Sequence, residues 1–143
     1  MKKGNDILIP EFARLLKEGH LVEFSPRGVS MRPFIEGGRD KGILKTCNDP
    51  QVGMIVLAKV GKSFVLHRIY KIDGEKIILH GDGNLTGFEQ CSPADIVGYV
   101  VRLKGMDGKR KRLTKGRFWR ALPTIFQKLY LKFYRTILLR YEN

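Results

Sequence analysis

Long apolar runs are missing from this sequence. Nowhere does it approach the roughly 20 consecutive apolar residues that a membrane-spanning helix needs. The start, Met1-Lys2-Lys3, is basic, but Glu11, Arg14 and Lys17 interrupt the next apolar stretch, so no secretory signal is expected. The chain is therefore expected to stay on the side of the membrane where it is made, in the cytoplasm or peripheral on the inner membrane face. Cysteine is scarce. Cys47 and Cys91 have no metal-ligand spacing and are expected to be buried free thiols rather than a disulfide. His20, His67 and His80 are not spaced as a metal cluster, so no metal is expected. Gly81-Asp82-Gly83 lacks the Lys-Ser/Thr ending of a phosphate loop, and no cofactor is expected. No internal repeat is visible.

Acidic residues are scarce in one region only. From Lys104 to Asn143 there are 12 Lys/Arg against Asp107 and Glu142, whereas the first 103 residues are nearly balanced. The overall net charge of +13 therefore belongs mostly to the tail. Such a segment suits an anionic partner, a lipid surface or nucleic acid. No nucleic-acid reading motif accompanies the charge, so specific nucleic-acid binding is not expected. With 143 residues and 43% hydrophobic content, the chain is long and apolar enough for one folded domain with a real core.

Asp6 can cap a short helix over about 7–18, with Ile7, Leu8, Phe12, Leu15 and Leu16 on one face. Four β-like runs lie at 54–60, 64–72, 76–80 and 96–103, separated by Gly61-Lys62, Asp73-Gly74 and Gly81-Asp82-Gly83-Asn84. Asp73-Gly74 is a strong hairpin signal. From Pro123 the pattern turns helical. Ile125, Phe126, Leu129, Tyr130, Phe133, Tyr134, Ile137 and Tyr141 share a broad face, opposite Lys128, Lys132 and Arg135. That helix either packs on the β-body or lies in an anionic membrane surface through residues 116–141. The expected fold is mainly β, a small, closed or strongly coiled antiparallel sheet with a short N-terminal helix and a basic amphipathic C-terminal helix. The expected divisions are a docking helix (1–19), a β domain (20–108) and a helical tail (109–143).

The chemistry centres on Ser30. The apolar run Leu21 to Phe24 breaks at Ser25-Pro26-Arg27-Gly28, and the resulting turn can push Ser30 out of the sheet. Met31 follows as a soft apolar group and Pro33 as a backbone constraint. A serine nucleophile needs a base, and a histidine base needs a third group to hold its tautomer. His67 lies within a β-run and Asp82 in the glycine turn after the next, so a serine, a histidine and an acid occur in order.

Ser30-Met31-x-Pro33, Val52 to Val56, Leu66-His67-Arg68 and Gly81-Asp82-Gly83-Asn84 together resemble the signal peptidase family of serine proteases, in the superfamily of the self-cleaving LexA-type repressors. The match covers about residues 20–103. His67-Arg68 is similar to the archaeal and endoplasmic-reticulum branch, where histidine replaces the bacterial lysine. The resemblance implies a coiled antiparallel sheet of the LexA/signal-peptidase type, a Ser30 nucleophile, a His67 general base and Asp82 as the orienting acid. It also implies an oxyanion site at the Ser30 and Met31 backbone, with Arg68, Gly81 and Asn84 as supports. The sequence departs from the pattern at Gly28 and Val29, which remove a side-chain oxyanion donor, and at His80, where lysine is common. His80 is either a surface replacement or an alternative titrating group. That branch carries a second acid six residues after the first; Phe88 stands there, with Glu89 next to it as a helper.

The implied activity is a serine endopeptidase cutting a leader or pro-peptide in a peptide or protein substrate at the cytoplasmic membrane surface. The alternatives are a catalytically weak peptide-binding module and a basic membrane-surface adaptor. Oligomeric state is not legible.

Overall fold

The structure is a computed structural model. It describes residues 2–85 and 87–142, with side chains for 9–85 and 87–137. The side chains of Asp6, Ile7, Leu8 and Tyr141 lie outside the described residues.

Among the described residues, eight strands form one antiparallel, curled half-barrel sheet. They are β1 (Val22–Phe24), β2 (Lys41–Lys45), β3 (Ile55–Val60), β4 (Ser63–Asp73), β5 (Lys76–His80), β6 (Glu89–Cys91), β7 (Ile96–Lys104) and β8 (Arg110–Lys111). The spatial order is β1-β2-β7-β3-β4-β5-β6, with β8 beside the end of β7. The four β-runs expected from composition are present as β3, β4, β5 and β7. Glycine makes two of the turns. In both Val60↔Ser63 and Asp73↔Lys76, a two-residue loop begins with a glycine at positive φ, Gly61 (φ 61°) and Gly74 (φ 59°). A glycine first in a two-residue loop suits the right-handed twist of the flanking strands.

The curl follows from three irregularities in the ladder. Pairing skips Val101 between β2 and β7, Val97 between β3 and β7, and Tyr70 between β4 and β5. Each extra residue bends its strand and adds twist. β3 is buried on both faces. Ile55 and Leu57 join one cluster with Met31, Ile35, Leu44 and Val100, while Val56 and Ala58 join Ile69, Ile77, Leu79 and Cys91 on the other. Burial pushes the Cys91 thiol up to about 11, with Asp95 adding to the shift. Cys47 is half-buried rather than buried, and both thiols are free.

Helix α1 (Lys2–Lys17) starts upstream of the expected 7–18. It docks Ile9 and Leu16 into the first cluster, and Phe12 meets Phe24 edge-on at 5.9 Å. The sheet reaches past the expected boundary at 108, because part of the charge run Lys109–Arg112 pairs with Leu103 and Lys104 as β8. A short helix, α2 (Arg117–Ala121), then leads into α3 (Thr124–Glu142). No helix among the described residues is long and apolar enough to cross a membrane.

Candidate active site

Ser30 stands in a run of tight turns over 29–35, which begins five residues beyond the end of β1. Gly28 adopts φ 83°, and the amides of Arg32, Phe34 and Ile35 then donate back to Val29 O, Met31 O and Met31 O. Met31 is buried in the core, which pins the turn from below while Ser30 stays half-exposed. The turn rests on the Gly81-Asp82-Gly83-Asn84 segment. Gly83 N–H donates to Ser30 O at 2.7 Å, and Asn84 N–H closes the segment onto Gly81 O at 2.9 Å. A Cβ at Gly81 would stand 2.6 Å from Ser30 O and 3.1 Å from His67 Nε2. A Cβ at Gly83 would stand 2.7 Å from Val29 O. The contacts to the two carbonyl oxygens are closer than real Cβ atoms tolerate, so both positions require glycine for close approach.

His67 projects from β4 with Nε2 at 3.1 Å from Ser30 Oγ. Its other nitrogen, Nδ1, is hydrogen-bonded to Glu89 Oε1. His67 is buried, whereas the Glu89 side chain is 21% exposed. Glu89 opens β6 opposite Leu79, which in turn lies opposite Ile69 on β4, two residues beyond His67. The pairing of three strands therefore sets where the Glu89 carboxylate falls. His80 helps to fix it. Its Nδ1–H donates to Gly87 O at 2.7 Å, and its ring stacks on Phe88 at 4.4 Å, so the backbone just before Glu89 is held from the side. His80 is thus a half-buried prop and not a surface replacement.

Asp82 does not meet His67; the expectation that it orients the histidine is corrected here. Successive residues of a strand face opposite sides, so Arg68 points away from His67, and Asp82 follows Arg68. Arg68 Nε and Nη2 fork onto Asp82 at 2.8–3.1 Å, with both side chains 1% exposed. Arg68 Nη1 donates to Gly53 O and Thr114 O, and its guanidinium lies over the Phe34 ring at 5.2 Å. Trp119 Nε1–H donates to Asp82 O at 2.7 Å. Arg68 and Asp82 support the site by fixing the turn beneath Ser30. Asn84 contributes its backbone, and Pro33 lines a pocket shared with Phe34 and the 114–119 segment.

Sequence reasoning missed the Arg68–Asp82 pair and the part played by Trp119. Part of the signal for the second was present: the chain has a single tryptophan, and once buried its N–H needs a partner.

A cleft of about 310 Å³ opens beside Ser30; Phe24, Met31, Ile35, Leu57, Phe64 and Leu66 line it together with Arg27 and Ser63. Among the described residues, no hydrogen bond uses the backbone N–H of Ser30 or Met31. No group of three or more His, Cys, Asp or Glu suited to a metal occurs among them either. The arrangement can pass a proton from Ser30 Oγ to His67 and hold the resulting cation against Glu89. No protein-family model matches the chain, nor does any curated protein or solved structure.

Proposed function

We propose that this chain is a serine endopeptidase of the signal-peptidase and LexA-like type, working through Ser30, His67 and Glu89. One observation carries the reading: Ser30 Oγ lies 3.1 Å from His67 Nε2 while Glu89 holds Nδ1. With Nδ1–H donated to Glu89, Nε2 is the free acceptor, which is the tautomer a general base requires. Ser30 attacks the scissile carbonyl as its proton moves to Nε2. The tetrahedral oxyanion is received by the Ser30 and Met31 N–H groups. His67 then gives the proton to the leaving amine, and an incoming water repeats the sequence on the acyl-enzyme. The apolar cleft suits an extended peptide with small apolar side chains before the cut, as in a leader or pro-peptide.

The test is labelling with a fluorophosphonate or an acylating lactam. Wild type should label and Ser30→Ala should not. Glu89→Gln should label between roughly 10²- and 10⁴-fold more slowly, since the tautomer is no longer held. Folded wild-type protein that neither labels nor cleaves a peptide library would overturn the proposal. If it still bound peptides, with Ser30→Ala unchanged, the chain would be a peptide-binding module instead.

A further inference from the structure

Among the described residues, helix α3 meets the body along one edge. Gln127 Nε2–H donates to Trp119 O, and the Tyr130 ring meets Trp119 at 5.5 Å. The Tyr134 ring lies under Arg32 at 5.9 Å, and burial pushes its phenol above the ordinary value. These contacts fix which way the helix faces. The apolar residues the edge leaves over are not covered. Ile125, Phe126, Leu129 and Phe133 are 56–65% exposed, and Ile137 continues the same stripe. At 3.6 residues per turn the stripe spans about 120° of the helix. Lys128, Lys132 and Arg135 occupy a separate face, are exposed, and form no ion pair among the described residues. Phe118 on α2 is 81% exposed beside Arg117.

An exposed apolar stripe of this size marks a contact surface. We propose that α3 is an interfacial helix that lies in the plane of an anionic lipid surface, with its apolar stripe among the acyl chains and its lysines and arginine among the headgroups. Charge selects this occupant. A second copy of the chain would bring the same cations against these, whereas an anionic bilayer supplies both the apolar layer and the opposite charge that the helix displays. Binding of this kind needs nothing from Ser30.

The experiment is flotation of the full chain with vesicles of phosphatidylcholine alone and with about one-third phosphatidylglycerol. Wild type should float with the anionic vesicles and remain behind with the neutral ones, and rising salt should release it. Leu129→Glu/Phe133→Glu should weaken binding at least roughly 100-fold, through lost apolar burial and added negative charge. Lys128→Gln/Lys132→Gln/Arg135→Gln should weaken it on the order of 100-fold at low salt. All these positions are exposed, and circular dichroism checks that the variants stay folded. Three outcomes overturn the proposal: wild type that does not float with anionic vesicles; a stable dimer that the Leu129→Glu/Phe133→Glu change dissociates; or duplex nucleic acid bound more tightly than vesicles and unaffected by that change.

Discussion

Arg68 sets the cost of any change at Asp82. Both side chains are buried, and the guanidinium directs its remaining hydrogen bonds to Gly53 O and Thr114 O. Asp82→Asn leaves a buried cation without its counter-charge, and such a loss costs about 3–5 kcal/mol. We expect a clearly lower thermal midpoint for Asp82→Asn, and almost none of that loss for Glu89→Gln, whose side chain is partly solvated. Turnover should follow the opposite order: Glu89→Gln removes the group that holds His67, while any folded Asp82→Asn keeps it. Melting curves and single-turnover acylation on the two variants separate the roles. The thiols give a second expectation at this scale. Burial pushes Cys91 up to about 11, so little thiolate forms near neutral pH. Alkylation at pH 8 should reach Cys91 roughly 10-fold or more slowly than the half-buried Cys47, and mass spectrometry of the products checks it. Raising the pH from about 9 through about 11 should erode stability at this site. The unfolded thiol ionises first, and the fold favours the neutral form up to its higher pKa.

At the scale of elements, glycine decides more than hydrophobicity does. Gly74 holds φ 59° at the tip of the β4–β5 hairpin with no neighbour near its missing Cβ. Gly74→Ala should cost about 1–2 kcal/mol in urea unfolding from backbone strain alone. Gly81→Ala should be worse and should also abolish acylation, because its Cβ would collide with Ser30 O and crowd the His67 ring. The long strands were legible in the sequence because Val, Ile and Tyr runs alternate with such glycine turns. β6 and β8 were not. Glu89-Gln90-Cys91 and Arg110-Lys111 are too short and polar to show a period, and they become strands only because β5 and β7 offer open edges. The same reason hid the acid on His67. Asp82 and Glu89 are both candidates by residue type. Which one meets His67 depends on alternation along β4 and on the pairing of β6, neither visible in a linear motif. Ser30 and His67, placed by a turn and a strand of ordinary pattern, carried little signal singly; the resemblance paired them, and the two side chains do meet.

Across the whole molecule, the basic tail and the candidate site share a joint. The 114–119 segment supplies a carbonyl to Arg68 and an indole N–H to Asp82 O, and Gly116 runs so close to Arg68 that a Cβ there would be 2.8 Å from Nε. Trp119→Phe removes the N–H while keeping most of the ring. It should lower stability by about 1 kcal/mol and speed hydrogen exchange at the amides of Gly83 and Asn84, far from α3 in sequence. Unchanged exchange at those amides would mean that the tail and the turn move independently.

This joint makes the tail an arm and not a rope. A flexible tether would let Ser30 sweep any height above a surface on which α3 rested. A tail that stays clamped through Trp119 would carry Ser30 at one height and one tilt. On such a surface, with Ser30 as the nucleophile proposed above, the molecule would act as a gauge: the bond reaching Ser30 would be chosen partly by how many residues separate it from the plane, before any side chain in the cleft is read.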